Sequence, residues 1–223
     1  MDIDSITSLG KTSAERVYEQ IKDRIEMGEY APSQRLIENE LVKSLEVSRH
    51  NIRVAFERLQ ADGLVKLEPN RGARVASLNL EEALDILVAR EALEVKVTRL
   101  AAKSISAAEL SELQAILINM QESLDKLDFS LYSAANKAFH QIIYQASQNK
   151  TMPELLGHLR QRLARLQLRT ILIPGRSEAS MAEHQAIYEA LAKHDEVAAE
   201  TAIGVHLQHL RGVISHAWHL IKN

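Results

Sequence analysis

Apolar residues recur along this chain at helical spacing, and the texture of the pattern changes once. Val17, Ile21 and Ile25 form one stripe of a helix running to about Met27, with Thr12 or Ser13 placed to cap it. Gly28 to Ser33, with Pro32 inside it, reads as a turn. A short helix follows over 36–45, with Leu36, Leu41 and Leu45 facing inward. Ser48 opens a third helix, whose apolar face is Ile52, Phe56 and Leu59, and Asp62-Gly63 stops it. Residues 64–68 and 73–75 read as two short strands around Pro69-Asn70-Arg71-Gly72. Helix, helix, turn, helix, hairpin is the order of a winged helix-turn-helix.

From about Leu80 the pattern is helical throughout. Helices are predicted over 80–103, 107–126, 129–147, 153–172, 178–193 and 195–221, with Ser106, Asp128, Ser177 and Asp195 as N-caps. Strand signals are absent. The expected fold is therefore mostly α. Residues 1–77 make a winged helix-turn-helix DNA-binding domain, with its helix-turn-helix at 38–57, and 80–223 make an all-helical bundle. A bundle of that size buries its own core and a ligand cavity.

Composition narrows this picture. With 46% hydrophobic and 26% charged residues, a mostly disordered chain is excluded. The absence of cysteine excludes disulfides, thiolate zinc sites and thiol nucleophiles, so any metal must use His and oxygen ligands. The opening MDIDSITSLGKTSAERVY has no apolar core of signal-peptide length, and no later stretch reaches membrane-span length. A cytoplasmic protein without a membrane partner is expected.

The formal net charge of −3 excludes a uniformly basic coat but not a local patch. Residues 1–46 carry 6 basic and 10 acidic residues, whereas residues 47–74 carry 6 basic and 3 acidic ones. Positive charge thus gathers on the third helix and the hairpin, where phosphate neutralisation needs it. The start of that helix presents Ser48, Arg49, His50, Asn51 and Arg53. In helix-turn-helix docking these first residues meet base edges. Arg pairs bidentately with guanine and Asn with adenine, so Arg49 and Asn51 are the best base readers. Ser48 and Arg53 suit phosphate, and Arg71 beside Gly72 reaches out from the wing. Arg35 and Asn39 complete the expected DNA-facing set.

The stretch VSRHNIRVAFERLQADGLVKLEPNRGARV resembles the DNA-binding signature of the GntR family of bacterial transcriptional regulators. That resemblance makes Ser48, Arg49, Asn51 and Arg53 DNA contacts. It also marks two departures. Asn39 stands where the family often has Arg, and His50 where it usually has a small residue. The stretches AREALEVKVTRLAA, NKAFHQIIYQASQN and EHQAIYEALAKHDEVAAETAIGVHLQHL are similar, in order and spacing, to the FCD ligand-binding domain of the FadR subfamily.

Many members of that subfamily hold a divalent metal with one Asp and three His. Carried onto this sequence, the set is Asn136, His140, His184 and His206, with Zn, Ni or Mn as the metal. Asn136 and His140 lie four apart, on one helix face. Asn136 replaces the usual Asp, which leaves the site more positive and favours an anionic effector. Three readings of the His trio stay open: metal ligands, direct ligand-binding residues, or structural side chains. His158, His194, His209, His216 and His219 are expected to be core or surface residues.

The resemblance also points Arg90 into the cavity. Arg160, Arg162, Arg165, Arg169 and Arg176 form a run with no acidic residue from 158 to 176. A solvated face is the expectation for the run as a whole. An anion clamp through Arg90, Arg165 and Arg169 is its functional alternative.

The resulting expectation is a homodimeric, ligand-responsive regulator, in the repressor sense, on a palindromic double-stranded operator. A small organic acid, a carboxylate, bound in the helical domain would change its grip on DNA. Two competing classes are a metal-dependent hydrolase with a DNA-binding head and an effector-independent DNA-binding protein. Glu183 beside His184 is the only base at hand for a hydrolase, and neighbouring helical residues point about 100° apart. No catalytic residue is assigned.

Overall fold

The computed structural model describes residues 12–69 and 71–222. Residues 1–11, which bear on the expected absence of a leader, Asn70 of the predicted wing turn and Asn223 lie outside the described residues. The chain forms two compact units that meet in sequence between Ser77 and Leu78.

In the first unit, α1 (Ser13–Glu26) is opened by Thr12, which exchanges capping hydrogen bonds with Glu15. Then follow β1 (Arg35–Leu36), α2 (Glu38–Leu45), α3 (Arg49–Ala61), β2 (Val65–Glu68) and β3 (Gly72–Val75). The sheet order is β1-β3-β2, antiparallel throughout. The helix predicted from Leu36 starts only at Glu38. Arg35 and Leu36 are instead extended and pair with Arg74 and Ala73. That pairing is non-local, so helical spacing could not reveal it. Val17, Ile21, Ile25, Ile52, Phe56 and Leu59 make the core, with Leu36, Val65 and Val75 closing it from the sheet side.

Gly72 has a backbone role here. Its φ is +87°, and a Cβ at this position would collide with the Leu36 carbonyl oxygen. Only glycine lets β3 approach β1 so closely. Gly72→Ala is expected to destabilise the first unit by about 2–4 kcal/mol, combining left-handed strain with overpacking. Chemical denaturation of the full chain checks this, and an unchanged first-unit transition would contradict it.

The second unit contains α4 (Leu80–Ser104), α5 (Ala107–Asp125), α6 (Phe129–Ala146), α7 (Thr151–Ile171), α8 (Arg176–Ala192), α9 (Glu196–His216) and the short α10 (Trp218–Ile221). Asn79 and Ser106 each form a capping box, with Glu82 and Glu109. Asp128 and Asp195 cap α6 and α9 as predicted.

Three helix limits differ from the sequence pattern. Helix α7 begins at Thr151 rather than 153, because Pro153 sits in the first turn, where its missing N–H is not needed. Helix α8 begins at Arg176, with Gly175 (φ +77°) at the N-cap instead of Ser177. The last predicted helix breaks at Ala217 into α9 and α10.

Helix α4 packs against α6, α7, α8 and α9. The core runs through Leu87, Val97, Leu113, Phe139, Ile143, Leu163, Ile187, Ile203 and Leu207. Among the described residues, no helix is long and apolar enough to cross a membrane.

Candidate functional site

The first unit presents the start of α3 and the wing tip at its surface. Glu46, with φ +54°, ends α2, and Val47 and Ser48 lead into α3. Ser48 Oγ accepts from the Asn51 backbone N–H at 3.2 Å. That bond uses a lone pair of the oxygen and not the hydroxyl hydrogen. Arg49, His50 and Arg53 are exposed, and Asn51 is partly covered.

Residues of α2 hold these arginines. Arg53 Nε donates to Glu38 Oε1 at 3.2 Å, and Arg49 Nη2 donates to Asn39 Oδ1 at 2.6 Å. Asn39, where the family resemblance has Arg, thus serves Arg49. At the wing, Arg71 is exposed, and its carbonyl accepts from Arg35 Nε at 3.0 Å. Arg35 therefore ties β1 to the wing tip.

In the second unit, three helices deliver three buried imidazoles. His140 comes from α6, His184 from α8 and His206 from α9, and their ligating nitrogens lie within 4.8 Å of one another. His184 Nδ1 lies 2.6 Å from the Ser180 carbonyl, and His206 Nδ1 lies 2.7 Å from Glu183 Oε2. A carbonyl and a carboxylate only accept, so both rings carry their proton on Nδ1. Their Nε2 lone pairs are thereby free. His184 Nε2 and His140 Nε2 stand 3.3 Å apart.

Burial holds all three imidazoles neutral. It is the leading cause for each; His184 is driven down to about 3, with His206 next. Arg160 adds to the effect at His140, while the bond to Glu183 opposes it at His206. Neutral imidazoles with oriented lone pairs are what a divalent cation requires. One turn before His140, Asn136 Oδ1 is buried without a hydrogen-bond partner. The donor set fits a borderline metal.

Glu183 stands behind this group and does not face its centre. Its carboxylate also takes two bonds from Arg176, at 3.0 and 3.1 Å, and one contact from exposed His209 at 2.8 Å. Burial pushes its pKa up, but the His206 and Arg176 bonds hold it down at about 2. It orients His206 as a permanent acceptor and offers no base for hydrolysis. His194 and His216 make structural bonds to the carbonyls of Ala102 and Gly212.

Glu94, on α4, is a site residue that no motif in the sequence singled out. Arg90, fully buried one turn earlier, donates through Nε to Glu94 Oε1 at 2.8 Å. Arg90 Nη1 is buried with no hydrogen-bond partner among the described residues. Arg160 Nη1 donates to Tyr144 Oη at 3.1 Å and lies 3.6 Å from Glu94 Oε2. Arg160 and Arg176 therefore depart from the solvated face expected for the arginine run, because acids on other helices meet them. Arg162 is exposed as expected. Arg165 Nε and Nη1 are buried without hydrogen-bond partners, and burial, with Arg169 next, lowers its pKa. The spacing of Arg90 and Glu94 at i, i+4 was the available signal for their pairing.

The comparisons with known proteins agree with both halves of the chain. Residues 13–75 match the model of the bacterial regulatory proteins of the gntR family, and residues 85–209 match the FCD domain. The HTH-type transcriptional regulator YcbG of Bacillus subtilis (strain 168) is 30% identical, with 92% of this chain and 91% of the relative covered. The HTH-type transcriptional repressor RspR of Escherichia coli (strain K12) is 26% identical over 81% of this chain and 79% of its own. The solved structure of E. coli McbR/YncC shares the fold, with a TM-score of 0.82 at 20% identity, covering 93% and 99% of the two chains. The chain belongs to the GntR family and carries an FCD domain: it is a DNA-binding transcriptional regulator and not an enzyme.

Proposed function

We propose that this regulator is a cytoplasmic, dimeric repressor whose hold on a palindromic operator is set by a metal-assisted carboxylate effector. The observation that carries the reading is the meeting of three buried imidazoles, with the Nε2 lone pairs of His184 and His206 free and His140 Nε2 3.3 Å from that of His184, near arginines with buried donors that lack a hydrogen-bond partner among the described residues. His140, His184 and His206 would hold the metal, with the Asn136 amide oxygen as an uncharged fourth group. Three nitrogens and an amide favour Zn or Ni over Mn, which prefers carboxylate oxygen. A bound metal supplies Lewis acidity for an effector carboxylate.

Charge supports an anion there. Arg90, Arg160 and Arg176 face only Glu94 and Glu183 in the ion pairs of this interior, so a dication adds to an existing positive excess. The free Nη1 of Arg90 and the buried donors of Arg165 are the residues for the carboxylate, with Arg169 beside Arg165. RspR, a transcriptional repressor, supports the repressor sense. A two-fold dimer matches the two half-sites of a palindrome.

The test is fluorescence anisotropy with a duplex obtained by in vitro selection, using zinc-loaded protein and a panel of small carboxylates at fixed salt. At least one carboxylate is expected to weaken DNA binding by about 5–150-fold, the usual range of such couplings. Unchanged affinity with every carboxylate that binds the protein would overturn the effector reading.

A further inference from the structure

We propose that Glu94 is a positioning residue of the three-histidine centre: its carboxylate fixes the His140 imidazole with Nε2 turned toward His184 and His206. The inference rests on the metal reading above. It starts from an asymmetry among the three rings. His184 and His206 each have an Nδ1 acceptor at hydrogen-bond distance, the Ser180 carbonyl and the Glu183 carboxylate. His140 Nδ1 is buried and has none among the described residues. What faces it is Glu94 Oε2, 3.6 Å away.

The proton on His140 makes that group matter. His184 Nε2 carries only a lone pair and lies 3.3 Å from His140 Nε2. A single proton on neutral His140 Nε2 satisfies that contact without a metal. When Nε2 takes a cation instead, the same proton must reside on Nδ1 and needs an acceptor there. Glu94 Oε2 is that acceptor. It is buried, has Arg160 and the Tyr144 hydroxyl as the carboxylate's other neighbours, and comes within bonding range of His140 Nδ1 by moving less than about 1 Å.

Glu94 is built for the task. Two guanidinium groups face its buried carboxylate: Arg90 at 2.7–2.8 Å from Oε1 and Arg160 at 3.6 Å from Oε2. Arg90 anchors Oε1, which leaves Oε2 to His140 and Arg160. Glu94 therefore plays toward His140 the part that Glu183 plays toward His206. It also connects His140 directly to Arg90, the residue with the free donor.

The test is zinc affinity of the full-length chain, by competition with a chromophoric chelator, for wild type, Glu94→Gln, Glu94→Asp and His140→Ala. Long-range proton–nitrogen spectra of the zinc-loaded proteins accompany it. Glu94→Gln is expected to weaken zinc about 10–100-fold, the usual effect of removing a partner behind a ligand. The His140 Nδ1–H resonance, shifted far downfield by a carboxylate in wild type, is expected to move upfield.

If Glu94→Gln does not fold, Glu94→Asp decides, since it keeps the charge for Arg90 but withdraws Oε2 from His140. It should weaken zinc several-fold and move the same resonance. Unchanged affinity and an unchanged resonance, in a protein that loses zinc with His140→Ala, would overturn the role of Glu94 alone. Equal zinc binding by wild type and His140→Ala would overturn the metal reading beneath it.

Discussion

His184→Ala is expected to abolish stoichiometric metal binding and, with it, the stabilisation that zinc gives the wild-type chain. His184 is fully buried within the trio; its Nδ1 is committed to the Ser180 carbonyl, and its Nε2 lies 3.3 Å from that of His140. Losing it leaves two imidazoles and an uncharged amide, too few donors for a tetrahedral site. The affinity loss should exceed the roughly 10–100-fold that a partner behind a ligand costs. Zinc at about 100 times its Kd stabilises the folded wild type by about 2.7 kcal/mol. Thermal unfolding with and without zinc measures this within each protein, so the cavity left by alanine cancels. A wild-type Tm that rises with zinc beside a flat variant is the expected pair. An equal rise in both would contradict the site.

The second large effect lies at the other end of the chain. Arg49→Ala is expected to weaken operator binding by about 1–3 kcal/mol and to relax the preference at one base pair per half-site. Arg49 is at the first turn of α3, exposed, and held by Asn39 at 2.6 Å. Arg53→Ala should behave differently. As a phosphate contact it would weaken all sequences alike and lower the salt slope by about one. Anisotropy titrations against the selected duplex and single-base variants, at several salt concentrations, separate the two. A uniform loss for Arg49→Ala would remove it from base reading.

The sequence carried the helices because their signals are local. The Ser106–Glu109 capping box, Asp128 and Asp195 sit where the chain must stop one helix and start another. Ser48 marks the start of α3 for the same reason. What escaped was non-local or conformational. Strand β1 exists only because Arg35 and Leu36 meet β3 from 36 or more residues away. Gly175 displaced Ser177 as the α8 cap because its positive φ lets the helix begin directly after the Pro174-Gly175 turn.

The candidate site divides the same way. The three histidines were named through family resemblance, and their convergence needs three helices that no spacing relates. Glu94 carried no motif that singled it out, and Glu183 was weighed only as a base beside His184. Packing adds Arg160 to the i, i+4 pair of Arg90 and Glu94, and brings Arg176 and His206 to Glu183. Buried acids of this kind stay ionised because the arginines are there, and breaking one partner away leaves an uncompensated charge.

The most direct test of the account is native mass spectrometry of freshly purified full-length protein, followed by denaturing mass analysis of the same sample. The account predicts a dimer with added mass equal to one divalent metal per chain, absent from His184→Ala, with any further mass belonging to a small acid. A wild-type dimer that stays free of metal after incubation with zinc or nickel would contradict it.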